Sequence, residues 1–359
     1  MASRDDVMVA LAGVTEPGGR DLVAAGRVEN VHVSSGTVIV SIAIAAEEVG
    51  AFEAVRVAAE AAVKALPGVE KALVALTAER KAGAAPAPQA GARPGAAPVP
   101  GVRRIVAVAS GKGGVGKSTT AANLALAFKA QGRAVGLLDA DIYGPSVPKL
   151  MGARTKPELL SGRMMKPVEA HGIKVMSIGF MVDDETPLIW RGPMIDSALT
   201  QMLREVAWGE LDILLVDMPP GTGDAQLTLA QKTPLDGAVI VSTPQDLALI
   251  DARKGLSMFR KVDVPVLGIV ENMSTFVCPA CGFRCDVFAH GGARAEAERL
   301  GTPFLGEVPL HMDIRRDSDA GVPTVVAQPD GPHAAAYGEI AARIWASLEG
   351  SRAGKRIGF

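Results

Sequence analysis

The sequence predicts an α/β chain: a doubly wound, mainly parallel sheet carrying a phosphate-binding loop, preceded by a small α+β domain. Three observations predict it. A glycine-rich loop lies between a short apolar strand and a helical stretch. Continuously apolar runs then alternate with helical segments over the rest of the chain, and strands apolar on both faces need cover on both faces. Residues 81–101 separate this pattern from the first 80 residues with a run dominated by alanine, proline and glycine, with nothing large enough to build a core.

In chain order, Val7 to Leu11 reads as the end of a short helix, and Glu16-Pro17-Gly18-Gly19 as a turn. Val28, Val31 and Val33, then Val38, Val40, Ile42 and Ile44, alternate as two strands around Ser34-Ser35-Gly36. Glu48 to Leu66 has helical spacing through Phe52, Val55, Ala59 and Val63, and Val69 to Leu76 reads as a third strand. The module has no cysteine, so it offers no thiolate chemistry. Treated as a flexible chain, the linker spans on the order of 25 Å. The domains expected are therefore 1–80, the linker 81–101, and 102–359.

Past the linker the strand-like runs are Ile105–Ala109, Ala134–Leu138, Ile173–Ile178, Ile213–Val216, Ala238–Val241 and Val266–Val270. Ligands in such sheets sit at the carboxyl ends of the strands. Three informative acidic or cysteine segments fall at or just past those ends.

Gly111-Lys112-Gly113-Gly114-Val115-Gly116-Lys117-Ser118 fits G-x-x-x-x-G-K-[ST], with Thr119 to Ala130 as the following helix. Glycines are needed because a β-carbon would keep backbone N–H groups from closing around phosphate oxygens. Lys117 places a point charge on the β/γ-phosphates, Ser118 offers a hydroxyl to Mg²⁺, and the helix N-terminus adds its dipole. Gly111 through Thr119 are thus the expected ATP contacts. Lys112 lies where an ordinary phosphate loop demands no cation, and taken alone it reads as a solvated surface charge.

Asp139 and Asp141 follow the strand Val135-Gly136-Leu137-Leu138, which delivers them beside the phosphate loop as Mg²⁺-water ligand and attacking-water orienter. Their bland alternative is a helix cap or turn. Asp217, ending Leu214-Leu215-Val216, fits a Walker B carboxylate, and Gly221 beyond it would offer its N–H to the γ-phosphate. Asn272 reads either as an amide at the adenine edge or as a turn former.

All three cysteines lie between 278 and 285, which argues against a disulfide framework and for a cytosolic metal or redox site. Cys278 and Cys281 have C-x-x-C spacing, which supplies half the ligands of a [4Fe–4S] cluster. A symmetric dimer completes the set by placing one pair from each chain at the two-fold axis. Cys278, Cys281, Cys285 and His290 would equally make a closed zinc site, and ligand spacing does not separate the two.

Bulk properties exclude several classes. A net charge of −2 gives no reason to expect nucleic acid or an anionic membrane as partner, and aromatics are scarce for stacking on single strands. The first residues lack a secretory core, and no apolar run approaches a membrane span, so a cytoplasmic protein is expected.

Taken together, the chain resembles the Mrp/ApbC family of ATP-binding iron–sulfur cluster carriers, of the deviant Walker A superfamily, over nearly its full length. Gly111–Thr119, Asp139–Ser146, Trp190-Arg191-Gly192-Pro193-Met194, Asp217–Asp224, Glu271-Asn272-Met273 and Cys278-Pro279-Ala280-Cys281 carry the resemblance. The first domain is similar to the cluster-assembly adaptor often fused to these proteins, with Glu16-Pro17 where Asp-Pro is usual. Ala289 stands where the family usually has glycine, and Cys285 is an extra thiol. The resemblance implies a homodimer in which Lys112 reaches the partner's nucleotide. It further implies a labile cluster on Cys278 and Cys281, slow ATP hydrolysis, and transfer to apoprotein clients with cluster-assembly proteins as further partners.

Two relatives of that superfamily compete. A partitioning or positioning ATPase with a structural zinc would want an amphipathic membrane helix or a basic patch, and the tail after Leu348 has too few large apolar residues for one. An electron donor of the nitrogenase-reductase type holds its cluster with two well-separated cysteines, whereas these share one loop.

Overall fold

The computed structural model describes residues 3–34, 37–45, 48–69, 71–79, 97–161, 164–181 and 192–353. The chain divides into two compact units, residues 1–90 and 91–359.

The first unit runs α1 (Arg4–Ala12), β1 (Val28–Ser34), β2 (Thr37–Ala45), α2 (Val49–Lys64) and β3 (Lys71–Glu79). Ser3 and Asp6 form a capping box that starts α1. The strands lie in the order β1-β2-β3. The first pair is antiparallel, and the second is parallel because α2 supplies the crossover. Phe52, Val55, Ala59 and Val63 are buried with Val7, Leu11, Leu22 and the inward residues of β2, so the helical spacing marks the face that packs. The third strand starts at Lys71 because Val69 still bonds back to Leu66 across the Pro67-Gly68 turn. Glu16 is buried and its carboxylate accepts from Arg20 at 3.2 Å and Arg27 at 2.8 Å. The longer side chain at this position thus has a structural partner.

In the second unit the elements are β4 (Ile105–Ala109), α3 (Lys117–Ala130), β5 (Val135–Asp139), α4 (Val147–Leu150), β6 (Leu159–Ser161), β7 (Met164–Met165), β8 (Val168–Ala170) and β9 (Ile173–Ser177). There follow α5 (Gly192–Arg204), β10 (Ile213–Asp217), α6 (Asp224–Lys232), β11 (Gly237–Ser242), α7 (Asp246–Lys261), β12 (Val266–Val277) and β13 (Arg284–Cys285). The chain closes with α8 (Gly292–Arg299), β14 (Phe304–Leu310), α9 (Met312–Asp319), α10 (Thr324–Ala327) and α11 (Pro332–Ala353).

The main sheet has the order β13-β12-β11-β4-β10-β5-β9-β8, with β14 also on β12. Every pairing is parallel except those of β8 with β9 and β13 with β12. This is the doubly wound parallel sheet expected. The runs β4, β5, β10 and β11 are buried at every position, which is why they read as unbroken apolar stretches rather than alternating ones.

Three differences from the sequence reading have physical causes. The helix after the glycine loop begins at Lys117, two residues early, because Gly116 turns into it at φ +78°. The strand expected over Val266–Val270 continues to Val277, held by β14 on one side and β13 near its end. β8, β13 and β14 are too short or too mixed in polarity to stand out. Of the segment marked as linker, residues 81–96 lie outside the described residues. Val99 is buried in the second unit's core and Gly101 accepts from the Leu211 N–H, so that unit takes in the segment's last residues.

Candidate functional site

The glycine loop leaves the carboxyl end of β4, at the centre of the sheet, and enters α3. Its glycines divide by role. Gly114 and Gly116 adopt φ +81° and +78°, which side-chain-bearing residues disfavour. Gly111 lies against the Asp251 carbonyl of α7, where a β-carbon would collide with backbone. Val115 is buried and fixes the loop from below, while Gly113 and Gly114 stay exposed.

Lys117 is buried in a cluster of carboxylates. Its ammonium donates to Asp217 Oδ1 at 2.5 Å, lies 3.2 Å from Ser118 Oγ and 3.9 Å from Asp141 Oδ2. Register explains the meeting: Asp217 pairs with Asp139 across β10 and β5, and with Val108 of β4 on its other side. Three adjacent parallel strands therefore deliver the loop and both carboxylates to one edge.

Asp139 is held by three donors. Its Oδ1 accepts from the Asp141 N–H at 3.1 Å, and its Oδ2 from the Val147 N–H at 3.1 Å and the Ser177 hydroxyl at 3.0 Å. Burial, then the charge of Asp217, push its carboxyl up to about 7. Burial likewise raises Asp217, against the pull of Lys117, and raises Asp141 to a lesser burial cost. One ammonium thus faces three carboxylates, and Asp217 Oδ2 is buried without a hydrogen-bond partner among the described residues. That surplus of negative charge and orphaned oxygen fit a divalent cation coordinated beside Ser118, as an Mg²⁺–nucleotide brings.

The remaining expected contacts are held within the chain. The Lys112 ammonium is 3.4 Å from Gln245 Oε1, and its carbonyl accepts from the Ser110 hydroxyl. Thr119 sits in the first turn of α3, where its carbonyl accepts from Asn123. The Gly221 N–H donates to the Ser110 carbonyl at 3.1 Å, with Gly221 at φ +97°, so the loop after β10 is tied to the base of the glycine loop. Asn272 is buried and donates from Nδ2 to the Val115 carbonyl at 2.8 Å, closing over Gly116. Trp190 and Arg191 lie outside the described residues.

The cysteines occupy a hairpin at the far end of β12. Phe276 pairs with Cys285 and Val277 with Arg284, and the Cys278 N–H donates to the Phe283 carbonyl at 2.9 Å. The turn brings Cys281 back to Cys278. Backbone N–H groups of Ala280 and Cys281, then the Cys281 thiol, hold the Cys278 thiol below its ordinary range and favour the thiolate. Cys281 and Cys285 are exposed and Cys278 half-exposed. His290 does not join them: its Nε2 is 3.1 Å from Glu307 Oε2 and 3.3 Å from the Arg284 guanidinium. Among the described residues, the three cysteines and His290 do not form a four-ligand cage.

Sequence reasoning missed the residues that hold the site. Ser177 supports Asp139 from the next strand, and Gln245 receives Lys112 from the loop before α7. Glu271 is fully buried, its two oxygens accepting from Gly291 N at 2.9 Å and Ala293 N at 2.7 Å at the start of α8. Glu271, directly after the apolar run Val266–Val270, was marked in the sequence only as part of Glu271-Asn272-Met273, without this role. The other two carried no signal.

Residues 101–345 match the family described as NUBPL iron-transfer P-loop NTPase, and residues 4–74 match the family described as iron-sulfur cluster assembly protein. An iron-sulfur cluster carrier protein of Synechocystis is 45% identical over 353 residues, covering 96% of this chain and 97% of its own. The mouse iron-sulfur cluster transfer protein NUBPL is 56% identical over 256 residues, 71% of this chain and 80% of that one. Among solved structures, a nucleotide-binding protein from Archaeoglobus fulgidus in complex with ADP is similar at 43% identity and TM-score 0.57, over 65% of this chain and 90% of that one. The cell division ATPase MinD of Pyrococcus furiosus has the same fold, at 22% identity and TM-score 0.53 over 68% of this chain and 99% of its own.

Proposed function

From the premise that the chain belongs to the NUBPL iron-transfer P-loop NTPase family, we propose that it is an iron–sulfur cluster carrier that hydrolyses ATP. It holds a labile [4Fe–4S] cluster between the Cys278–Cys281 pairs of two copies and passes it to apoproteins. The observation that carries this reading is the path of β12. Asn272 on this strand grips the phosphate loop at Val115, the neighbouring Glu271 grips the segment that follows the cysteine hairpin, and the strand then runs into Cys278. Adjacent strand residues point to opposite faces, so one strand, bent by the left-handed Met273, links the nucleotide loop to the cysteine hairpin.

On this reading the N–H groups of Gly113 to Ser118 take the phosphates, and Lys117 exchanges part of its hold on Asp217 for the β/γ-oxygens. Ser118, with Asp139 and Asp217, would hold Mg²⁺, which would supply positive charge against the carboxylates and the phosphates. Asp141, half-buried at the mouth of the cluster, orients the attacking water. Lys112 acts across the dimer, stabilising charge that develops on the partner's leaving phosphate. Gly221 follows the Walker B strand; its N–H is on the Ser110 carbonyl rather than open to the γ-phosphate, so sensing the γ-phosphate would require it to leave that carbonyl.

The thiolate-favouring turn at Cys278 supports cluster binding, and the half-exposed Cys278 with the exposed Cys281 supports release. His290, engaged by Glu307 and Arg284 rather than by the cysteines, also favours this reading over a partitioning ATPase with structural zinc. The test is transfer. Protein reconstituted anaerobically is mixed with a cluster-free [4Fe–4S] enzyme, and regained activity is followed with and without Mg-ATP. Activation that requires Cys278 and Cys281 supports the proposal; a reconstituted protein that activates nothing refutes it.

A further inference from the structure

A second metal-ligand set lies apart from the cysteines. β14 ends at Leu310, and His311 follows as the N-cap of α9, its Nδ1 accepting from the Asp313 N–H at 3.2 Å. His333 enters from the first turn of α11. One nitrogen of each imidazole and one carboxylate oxygen of Asp313 all lie within 4.8 Å of one another. The two rings are 4.5 Å apart between centroids, at 47°. His333 is 8% exposed, and no hydrogen bond holds its ring among the described residues. The ring nitrogens of His333 are not sealed from solvent, so an ion bound there displaces water rather than a hydrogen bond within the chain.

We propose that His311, Asp313 and His333 bind a divalent first-row transition-metal ion. Two imidazoles with one carboxylate form a donor set that such ions accept, with coordination positions left for water. Asp313 has a further partner: its Oδ1 accepts from Arg316 at 2.8 Å, while Oδ2 lies 3.5 Å from His311 Nδ1. The guanidinium orients the carboxylate as an outer partner of a metal ligand does. Bonds of about 2.0–2.2 Å require the three groups to draw together slightly, which side-chain rotation supplies. The other three-residue grouping, Glu271 with His290 and Glu307, is a weaker candidate, because both oxygens of Glu271 already accept backbone N–H groups. The site ties the start of α11 to the carboxyl end of β14, whose Leu310 pairs with Phe276 two residues before Cys278. It does not depend on the cluster reading, since no cysteine belongs to it.

The test removes the thiolates first. The full-length chain carrying Cys278→Ser, Cys281→Ser and Cys285→Ser is titrated with Co²⁺, followed by its visible ligand-field bands, and with Zn²⁺, counted after gel filtration. One ion per chain is expected, with binding weakened at least about tenfold by His333→Gln and by Asp313→Asn, and unchanged by His290→Gln. Asp313→Asn changes a partly exposed helix-start residue, so it remains informative if His333→Gln does not fold. No ion retained by the cysteine-free chain would overturn the proposal. So would binding that survives both ligand substitutions, or binding lost with His290 instead.

Discussion

Replacing Lys117 with alanine removes the one ammonium from a pocket of three carboxylates, so it affects stability and chemistry in separable ways. Asp217 is fully buried and loses its 2.5 Å partner. Breaking a buried pair by deleting one side costs about 3–5 kcal/mol when the remaining group stays charged. Asp217 has an alternative, because burial already raises its affinity for a proton. The sign follows from linkage: a carboxyl whose folded value lies above its unfolded one binds extra protons in the fold, so stability falls as pH rises through that window. Asp139, raised from 3.8 to about 7, already does this in the native chain, by an amount on the order of 4 kcal/mol between about pH 4 and pH 7. Loss of Lys117 removes the pull that opposes the burial of Asp217, so its carboxyl rises further and changes stability with pH in the same direction. Urea unfolding is expected to show a smaller loss at about pH 5.5 than at about pH 8, approaching roughly 3–5 kcal/mol where Asp217 is charged. ATP hydrolysis, followed by phosphate release at the lower pH where the fold is intact, is expected to fall by at least about a thousandfold, as for loss of a preorganised transition-state donor. Wild-type turnover, or an equal stability loss at both pH values, would refute the reasoning.

Lys112→Ala leaves its own loop complete, so impaired hydrolysis that a mixed dimer with Lys117→Ala chains alters would establish action across the interface; identical rates with and without Lys112 would return it to a surface charge. Asn272→Ala is expected to loosen the phosphate loop, raising the ATP dissociation constant by about tenfold for one lost hydrogen bond to the loop, read by nucleotide titration. Cys278→Ser or Cys281→Ser should each abolish the cluster while Cys285→Ser keeps most of it, measured as iron and sulfide after reconstitution. Residues 97–359 alone should fold and hydrolyse ATP, because every nucleotide contact and the buried Val99 lie within them; a folded fragment without activity would contradict this.

The parallel sheet was legible because full burial leaves an apolar mark on β4, β5, β10 and β11, and the phosphate loop because its backbone geometry demands glycine at fixed positions. Asp139 and Asp217 were legible as strand-end carboxylates, yet their perturbation was not, since it arises from strands brought side by side by the register. Ser177, Gln245 and His333 were invisible for the same reason: each meets its partner only across the fold, and none breaks a local pattern. Asn272 shows the limit well. The sequence marked it as important beside the nucleotide, but its bond to Val115 depends on β12 running on past the point where its apolar pattern ends.

The carrier reading stands or falls on what Cys278 and Cys281 hold. The direct measurement is iron, sulfide and zinc per chain in anaerobically purified protein, with the native mass of the same sample. Half a [4Fe–4S] cluster per chain on a dimer, lost with either cysteine, is expected. Thiolate-bound zinc in each monomer, lost equally when Cys278, Cys281 or Cys285 is replaced and with no iron taken up, would contradict it.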